Sequence, residues 1–561
     1  MSRNNSEFKV AIIGGGISGI AQAVTLKRQL GNGVNIKIFE KRSSLGGVWR
    51  DAKWPGAGVD VPIHLYSLFS DLKSDWTTLF AEQPEVLAYW ESLVDKHGLR
   101  RDVILNTEYV GSEWISSEQH HAISFRRSDG SAFEYSANVI ISANGPLSKP
   151  TIPKLPGLEK FEGVYFHNLH WDENVDLSNK RVAVIGNGSS GIQLVPGVAD
   201  IPGVQLTHFI RSGGYFVPKV NTPYSATTKF LFKYVPLAQR AYRFSLFLES
   251  NDRWRAKKEP KSHPTPMETQ LLDHLAKTAP PEYLDALTPR YPLGCKRVAF
   301  DAGWLESLHR PNVDLVNHPI VQVTPRGLVT SDGVEKTFDV IIFATGSNVA
   351  EHGVGLNVGL KGGRGQDLQT HWKQIGGPKA YMGTAVPEFP NYFIILGPNA
   401  IAGSWGYTIG CKALFNAKLV QAMIRHQITS LQPKSDAFEK HNEELQRGLA
   451  GTSMKSTACD NWWRVGGNGL LSVPNSVSGF RLAELTKNIV WDDWSATRLD
   501  GNSGRPVEVI VKESSSKRTT WALGFITATM AAAAVSQLSA GNLPLKFEQI
   551  ERLLSATGLW R

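Results

Sequence analysis

The first apolar run of the chain, FKVAII (8–13), stops at GGGISG (14–19), and ISGIAQAVTLKRQL (17–30) then spaces its apolar positions as a helix does. NIKIFE (35–40) follows as a second strand ending at Glu40, which completes a βαβ unit. Between residues 103 and 145 the alternation predicts several strands, with a turn at Ser128-Asp129-Gly130 and a last run, VIISANG. Pro150, Pro153 and Pro156 mark a linker. About 170 residues after the first glycine turn the pattern repeats: RVAVIG, NGSSGIQLVPGV and VQLTHFIRS read as strand, turn with helix, and strand. From 222 to 292 the texture turns helical, basic and aromatic, as an inserted subdomain would. KTFDVIIFATGS (336–347) restores a strand ending in glycine, and the polar stretch 499–520 reads as a linker to a tail.

The expected fold is α/β, with two Rossmann-like dinucleotide-binding domains and a helical insertion. Along the chain this gives a first FAD-type part (1–149), a first NADPH-type part (150–217), the insertion (218–292) and a second NADPH-type part (293–345). A second FAD-type part (346–500) and a linker with a helical tail (501–561) complete it. At 561 residues one compact core is excluded. A formal charge of +9 would suit an anionic ligand, but Lys and Arg are dispersed and no nucleic-acid motif occurs, so no nucleic-acid partner is expected. Cys295, Cys411 and Cys459 lie far apart, which excludes a CxxC redox pair, makes a disulfide framework improbable and favours a reducing, cytoplasmic compartment. The N-terminus reads as a first strand, not a signal peptide. WALGFITATMAAAAVSQLSA (521–540) is free of charge and long enough to span a bilayer, yet poor in Leu, Ile and Val. A packed or surface-lying helix is preferred there to a membrane span.

The glycine turns carry the chemistry. Gly14, Gly16 and Gly19 follow a strand and open a helix, where backbone N–H groups can approach a pyrophosphate, and Glu40 is placed to accept from ribose hydroxyls. Gly186, Gly188 and Gly191, with Ser189 and Ser190 between them, repeat the arrangement. At the end of the next strand, however, stand Arg211 and Ser212 instead of an acid. An acid there would repel a 2′-phosphate, whereas arginine can pair with it bidentately. The first turn therefore suits FAD and the second NADPH. No metal site is expected.

Two dinucleotides imply flavin reduction by NADPH, and without a cysteine pair the electrons have oxygen as their outlet. FEGVYFHNLHWD (161–172) fits FxGxxxHxxxW(P/D), with Phe161, Gly163, His167, Trp171 and Asp172 in register. In that pattern the chain resembles type I Baeyer–Villiger monooxygenases; related flavin monooxygenases that oxidise amines and sulfides carry Tyr-Lys where Trp171-Asp172 stands. LGGVWR (45–50), with Gly47 and Trp49, and WPGAGVDVPIHLYS (54–67), with Asp60, resemble the family's flavin-contacting segment. YPLGCKRVAFD (291–301) resembles its Gly-x-Lys-Arg motif, FATGS its ATG segment, and CDNWWR (459–464), with Trp462, its late segment reaching NADP. The resemblance covers roughly residues 8 to 490; LSVPNS stands where the family has Trp-Pro, which puts the late pocket contacts in question.

The resemblance implies an FAD- and NADPH-dependent enzyme that inserts one oxygen atom of O2 beside a ketone carbonyl, through a C4a-peroxyflavin, to give an ester or lactone. Arg211 and Lys296 would hold the 2′-phosphate. Arg297 would favour the anionic peroxide and the charge on the tetrahedral adduct, with Asp60 positioning it. Trp462 would cover the nicotinamide side, and the 161–172 stretch would join the two domains, His167 hydrogen-bonding between them. Aromatics of the insertion (Tyr242, Phe244, Phe247, Trp254) permit a bulky apolar ketone such as a polyketide or terpenoid, placing the enzyme in secondary metabolism. The chain is expected to act as a monomer, with membrane contact through its tail not favoured. A same-fold oxygenase of amines or sulfides, and a non-oxygenating NADPH oxidase, are the alternatives.

Overall fold

Val10, Ala11 and Ile12, and likewise Val182, Ala183 and Val184, have no exposed surface at all. Runs buried on both faces are what central strands of covered parallel sheets require. The computed structural model, which describes residues 8–254, 263–347, 349, 359–465, 469–500 and 503–511, builds one such sheet on each run. The first has the order Tyr392–Ile394, Val139–Ser142, Lys9–Ile13, Asn35–Phe39, Val103–Ile104, all parallel. The second has the order Val313–Val316, Gln205–Phe209, Arg181–Ile185, Val340–Phe343, Val164–His167, again all parallel. In both, the strand feeding the glycine turn lies in the middle. Its neighbours are the next βα strand and a later strand ending in SANG or ATG.

The first sheet is closed by a strand that arrives only after the whole second sheet has formed, so the chain crosses between the two units twice. Helix Trp405–Arg425 then packs back onto helix Ile17–Leu30, where Gln22 Nε2 donates to the Ala413 carbonyl over 3.3 Å. Residues 107–137 form several of the expected strands, which pair antiparallel, with Gly130 at φ +86° in the predicted turn.

The insertion contributes helices Ala226–Tyr234, Ala238–Trp254 and Pro266–Thr278. It docks on the first unit through His64, whose fully buried ring lies 5.3–5.5 Å from those of Tyr224, Phe232 and Tyr242. Burial, reinforced by the charges of Arg243 and Lys73, drives the His64 pKa down to about 3. His64 belongs to the one-turn helix Ile63–Tyr66, so this docking also fixes the segment running from Asp60 to Tyr66.

Two expectations change. Cys295 and Cys459 are joined in a disulfide across 164 residues of sequence, and only Cys411 is free. Distance along the chain does not limit pairing once folding has brought two loops together, so the cysteine argument for a reducing compartment loses its premise. Part of the stretch read as a linker is also a strand: Pro506–Glu508 pairs with Trp494–Leu499, which pairs with Ser430–Pro433. The apolar segment 521–540 lies outside the described residues, among which no helix is long and apolar enough to cross a membrane.

Candidate active site

The two glycine turns repeat one geometry to within tenths of an ångström. A Cβ on Gly14 would stand 2.5 Å from the Ala143 carbonyl oxygen, and one on Gly186 would stand 2.6 Å from that of Ala344, both at φ above +100°. A Cβ on Gly19 would fall 2.0 Å from Gly14 O, and on Gly191 1.9 Å from Gly186 O. Each turn is thus closed tightly on its own sheet, which leaves the helix N-terminus open for an anionic ligand. At Gly188 a Cβ would meet nothing, so that backbone faces free space.

Around the first turn is a cavity of about 220 Å³ lined by Gly14, Gly16, Glu40, Gly46, Gly47 and Tyr66. Glu40 is buried and accepts from Gly15 N (2.7 Å) and Arg42 N (2.9 Å), so it braces the turn as well as facing the cavity. Gly47, at φ +56°, lets LGGVWR lie against Gly16, where its Cβ would be 2.9 Å from the Gly16 Cα.

A larger cavity of about 700 Å³ opens between the two sheets, and its wall includes Trp49, Asp60, Ser189, Ser190, Lys296, Arg297 and Trp462. Arg297 Nη2 pairs with Asp60 Oδ2 at 2.7 Å, while its Nη1 donates to Ser189 Oγ at 3.0 Å. Burial alone would raise the Asp60 pKa, but the charge and hydrogen bond of Arg297 outweigh it and hold the carboxyl below its usual range. Lys296 Nζ donates to Ser212 Oγ (2.8 Å), and Asn187 Nδ2 to the Ser212 carbonyl (2.8 Å), which ties the second turn to the strand end. Arg211 is 76% exposed beside them, 3.7 Å from a still more exposed Asp460. Such a surface pair is worth only about 0–1 kcal/mol and can yield to a stronger anion.

The fingerprint stretch is more than a joint. Phe161 is buried in the core under the second sheet, with Phe209, Ile341 and Phe343. A Cβ at Gly163 would meet Asp339 O at 2.5 Å. Val164–His167 is the edge strand of the second sheet, and Trp171 meets Phe166 edge to face at 5.3 Å. Asp172 shapes a turn by accepting from Asn174 N. His167, Asn168 and Leu169 line the larger cavity. His167 Nδ1 accepts from Leu169 N within the same segment; burial, with His170 nearby, lowers its pKa to about 4 against the pull of the Gly346 backbone, which belongs to the second FAD-type part. Asn168 Nδ2 is buried without a hydrogen-bond partner among the described residues, a polar atom that a bound ligand could satisfy.

The insertion's aromatics do not line the cavity as expected. Tyr242 surrounds His64, and Phe247 packs on Phe480 and Tyr407, because their apolar faces are needed to dock the helices. Phe244 joins Phe247 and Phe480, and the side chain of Trp254 lies outside the described set. The aromatic wall is instead Trp405, Trp462 and Trp463, with Phe300 and Trp54. Val473, Pro474 and Asn475 of LSVPNS line the cavity despite the departure from the family's Trp-Pro.

Two residues went unnoticed in the sequence. Tyr66 lines both cavities and its hydroxyl accepts from Trp49 Nε1 at 2.9 Å; its position six residues after Asp60 in the flavin-type segment was a usable signal. Lys219 carries no motif, yet the fold brings it half-buried near Asp60 and Glu82, with burial lowering its pKa against their charges.

Two dinucleotide-type turns, each beside its own cavity with Tyr66 on the wall of both, define the class: a flavoprotein oxidoreductase served by two nucleotides. Residues 12–82 match the NAD(P)-binding Rossmann-like domain family. A Baeyer–Villiger monooxygenase of Pseudomonas aeruginosa is 34% identical over 459 residues, covering 81% of this chain and 85% of the relative. One from Streptomyces coelicolor is 32% identical over 82% and 87%. Among solved structures, cyclohexanone monooxygenase from Rhodococcus sp. Phi1 bound to NADP+ superposes with a TM-score of 0.76 at 26% identity, covering 87% of this chain and 98% of that one. The chain belongs to the Baeyer–Villiger monooxygenase family, and it is an FAD- and NADPH-dependent enzyme of that family.

Proposed function

We propose that the cavity between the sheets receives a ketone and that one oxygen atom of O2 is inserted there beside the carbonyl, giving an ester or lactone. The observation that carries this reading is the Arg297–Asp60 pair, 2.7 Å apart on the wall of an otherwise largely apolar space. The first turn, with Glu40 and Tyr66, would hold FAD, and the second turn would hold NADPH, with Arg211, Ser212 and Lys296 holding its 2′-phosphate. Bound, the flavin supplies the oxygen-activating chemistry and the nicotinamide supplies the hydride.

The protein supplies charge, orientation and apolar surface. The Arg297 guanidinium stabilises the negative charge that develops on the carbonyl oxygen during attack. Asp60 and Ser189 fix the guanidinium from two sides and keep it from following the substrate out. Trp405 and Trp462, with rings 6.4 Å apart, add apolar wall to the cavity. The need for NADPH, in place of the cysteine count, supports a cytoplasmic location, and the enzyme is proposed to act there as a monomer.

Arg297→Ala tests the reading. The variant should keep FAD and oxidise NADPH, yet lose ester formation by about 10²–10³-fold, the usual cost of one preorganised donor. The electrons should then appear as hydrogen peroxide. Parental ester formation in that variant would remove Arg297 from the chemistry.

A further inference from the structure

Lys296 and Arg297 sit on a loop, residues 291–297, that belongs to no helix or strand until Ala299. What holds such a loop decides where its two cations stand. Glu268, in the first turn of the insertion helix Pro266–Thr278, is 1% exposed and spends its two carboxylate oxygens on different tasks. Oε2 accepts from Thr265 N at 2.6 Å, the reciprocal half of a capping box in which Thr265 Oγ1 receives Glu268 N. Oε1 reaches across to the loop and accepts from Leu293 N at 2.9 Å and from the Tyr215 hydroxyl at 3.3 Å. That hydroxyl also lies 3.1 Å from the Tyr291 carbonyl. His263 Nδ1 lies within 3.0 Å of both oxygens.

A helix cap needs only Oε2. The contacts of Oε1 are therefore unexplained by the helix, and they fall three and four residues before Lys296 and Arg297. We propose that Glu268 is a positioning residue for the NADPH and oxygenation site: its buried carboxylate fixes the backbone of 291–297 and thereby places Lys296 against Ser212 and Arg297 against Asp60. Thr265, Pro266 and Met267 line the same cavity, so one side chain sets the spacing between the insertion's wall and the loop opposite it. Burial would push the carboxyl up, but the N–H groups of Thr265 and Leu293, with His263, hold it at about 2, so it remains an acceptor throughout the working range.

This inference rests on the roles proposed for Lys296 and Arg297, and the test separates the two. NADP+ affinity is measured by calorimetry on the FAD-loaded full chain, together with the share of oxidised NADPH that yields ester against peroxide. Glu268→Gln keeps the size but turns an NH2 toward donors. It should retain FAD, weaken NADP+ about tenfold and shift electrons from ester to peroxide, as small misplacements at positioned groups do. Glu268→Asp, charged but one methylene short, should fall between it and the parent. A Glu268→Gln protein that melts earlier yet binds NADP+ and couples like the parent would reduce Glu268 to a helix cap. Loss of FAD from both variants would make it a folding residue and overturn the proposal. Parent protein that bound no NADP+ at all would instead sink the functional reading itself.

Discussion

Lys296 is half-buried beside Arg211, and burial first, with the Arg211 charge second, lowers its pKa below that of an ordinary lysine. The two cations share this region with one exposed carboxylate, Asp460, which does not offset the lowering of the Lys296 pKa, and that is the electrostatic case for a 2′-phosphate there. Only protonated Lys296 can pair with phosphate. NADP+ affinity should therefore fall as pH rises past that lowered pKa, beginning at a lower pH than a solvent-exposed lysine would dictate. Lys296→Arg should push the fall to higher pH, and calorimetric titration across alkaline pH checks both. A fall at the same pH in parent and variant would assign it elsewhere. Arg211→Ala should weaken NADPH by about tenfold or more, as expected for loss of a charge-assisted phosphate contact, and leave NADH nearly untouched; equal losses would remove the 2′-phosphate from this spot. These cations were legible in the sequence because strand ends and a Gly-x-Lys-Arg run mark them. Lys219 was not, since it reaches Asp60 only through the fold.

At the scale of elements, the two strand–turn–helix units invite a paired experiment. Gly19 and Gly191 hold equivalent places, each with room for no Cβ because the carbonyl of the first glycine of its turn lies about 2 Å from where the atom would be. Accommodating a methyl there must shift the turn, at about 1–3 kcal/mol, and displace the N–H groups aimed at a pyrophosphate. Gly191→Ala should leave FAD bound, with its yellow absorbance intact, while NADP+ binding is lost; Gly19→Ala should yield colourless protein. If Gly191→Ala bound NADP+ normally, the second turn would not be a nucleotide cradle. These units were readable because each is local, a strand, turn and helix within some thirty residues. The insertion's aromatics were misjudged for the opposite reason. Tyr242 and Phe247 look alike in sequence whether they face a ligand or a neighbouring helix, and only packing separates the two fates.

In the whole molecule, the order of units along the chain was readable, but the closures between distant segments were not. The first sheet waits for Tyr392–Ile394, and the cavity wall draws on segments from Trp49 to Asn475, none of which carries a mark of its eventual neighbours. The Cys295–Cys459 disulfide is the covalent instance. It joins the residue next to Lys296 to a segment that brings Trp462 into the cavity, and Asn461 Nδ2 donates to the Cys295 carbonyl at 3.2 Å beside it. Closing a loop of 164 residues restricts the unfolded chain, a contribution of about 2–5 kcal/mol on the chain-entropy account. Both sulfurs are buried, so the bond tests best by substitution: Cys295 is 0% and Cys459 8% exposed. The double variant Cys295→Ser, Cys459→Ser should melt several degrees lower when followed by release of flavin fluorescence. It should also bind NADP+ more weakly, since the loop carrying Lys296 and the segment carrying Trp462 are no longer tied. A lower melting point with unchanged NADP+ affinity would make the bond a staple of the fold alone. An unchanged melting point and unchanged affinity together would mean that the two thiols are not joined in the working enzyme.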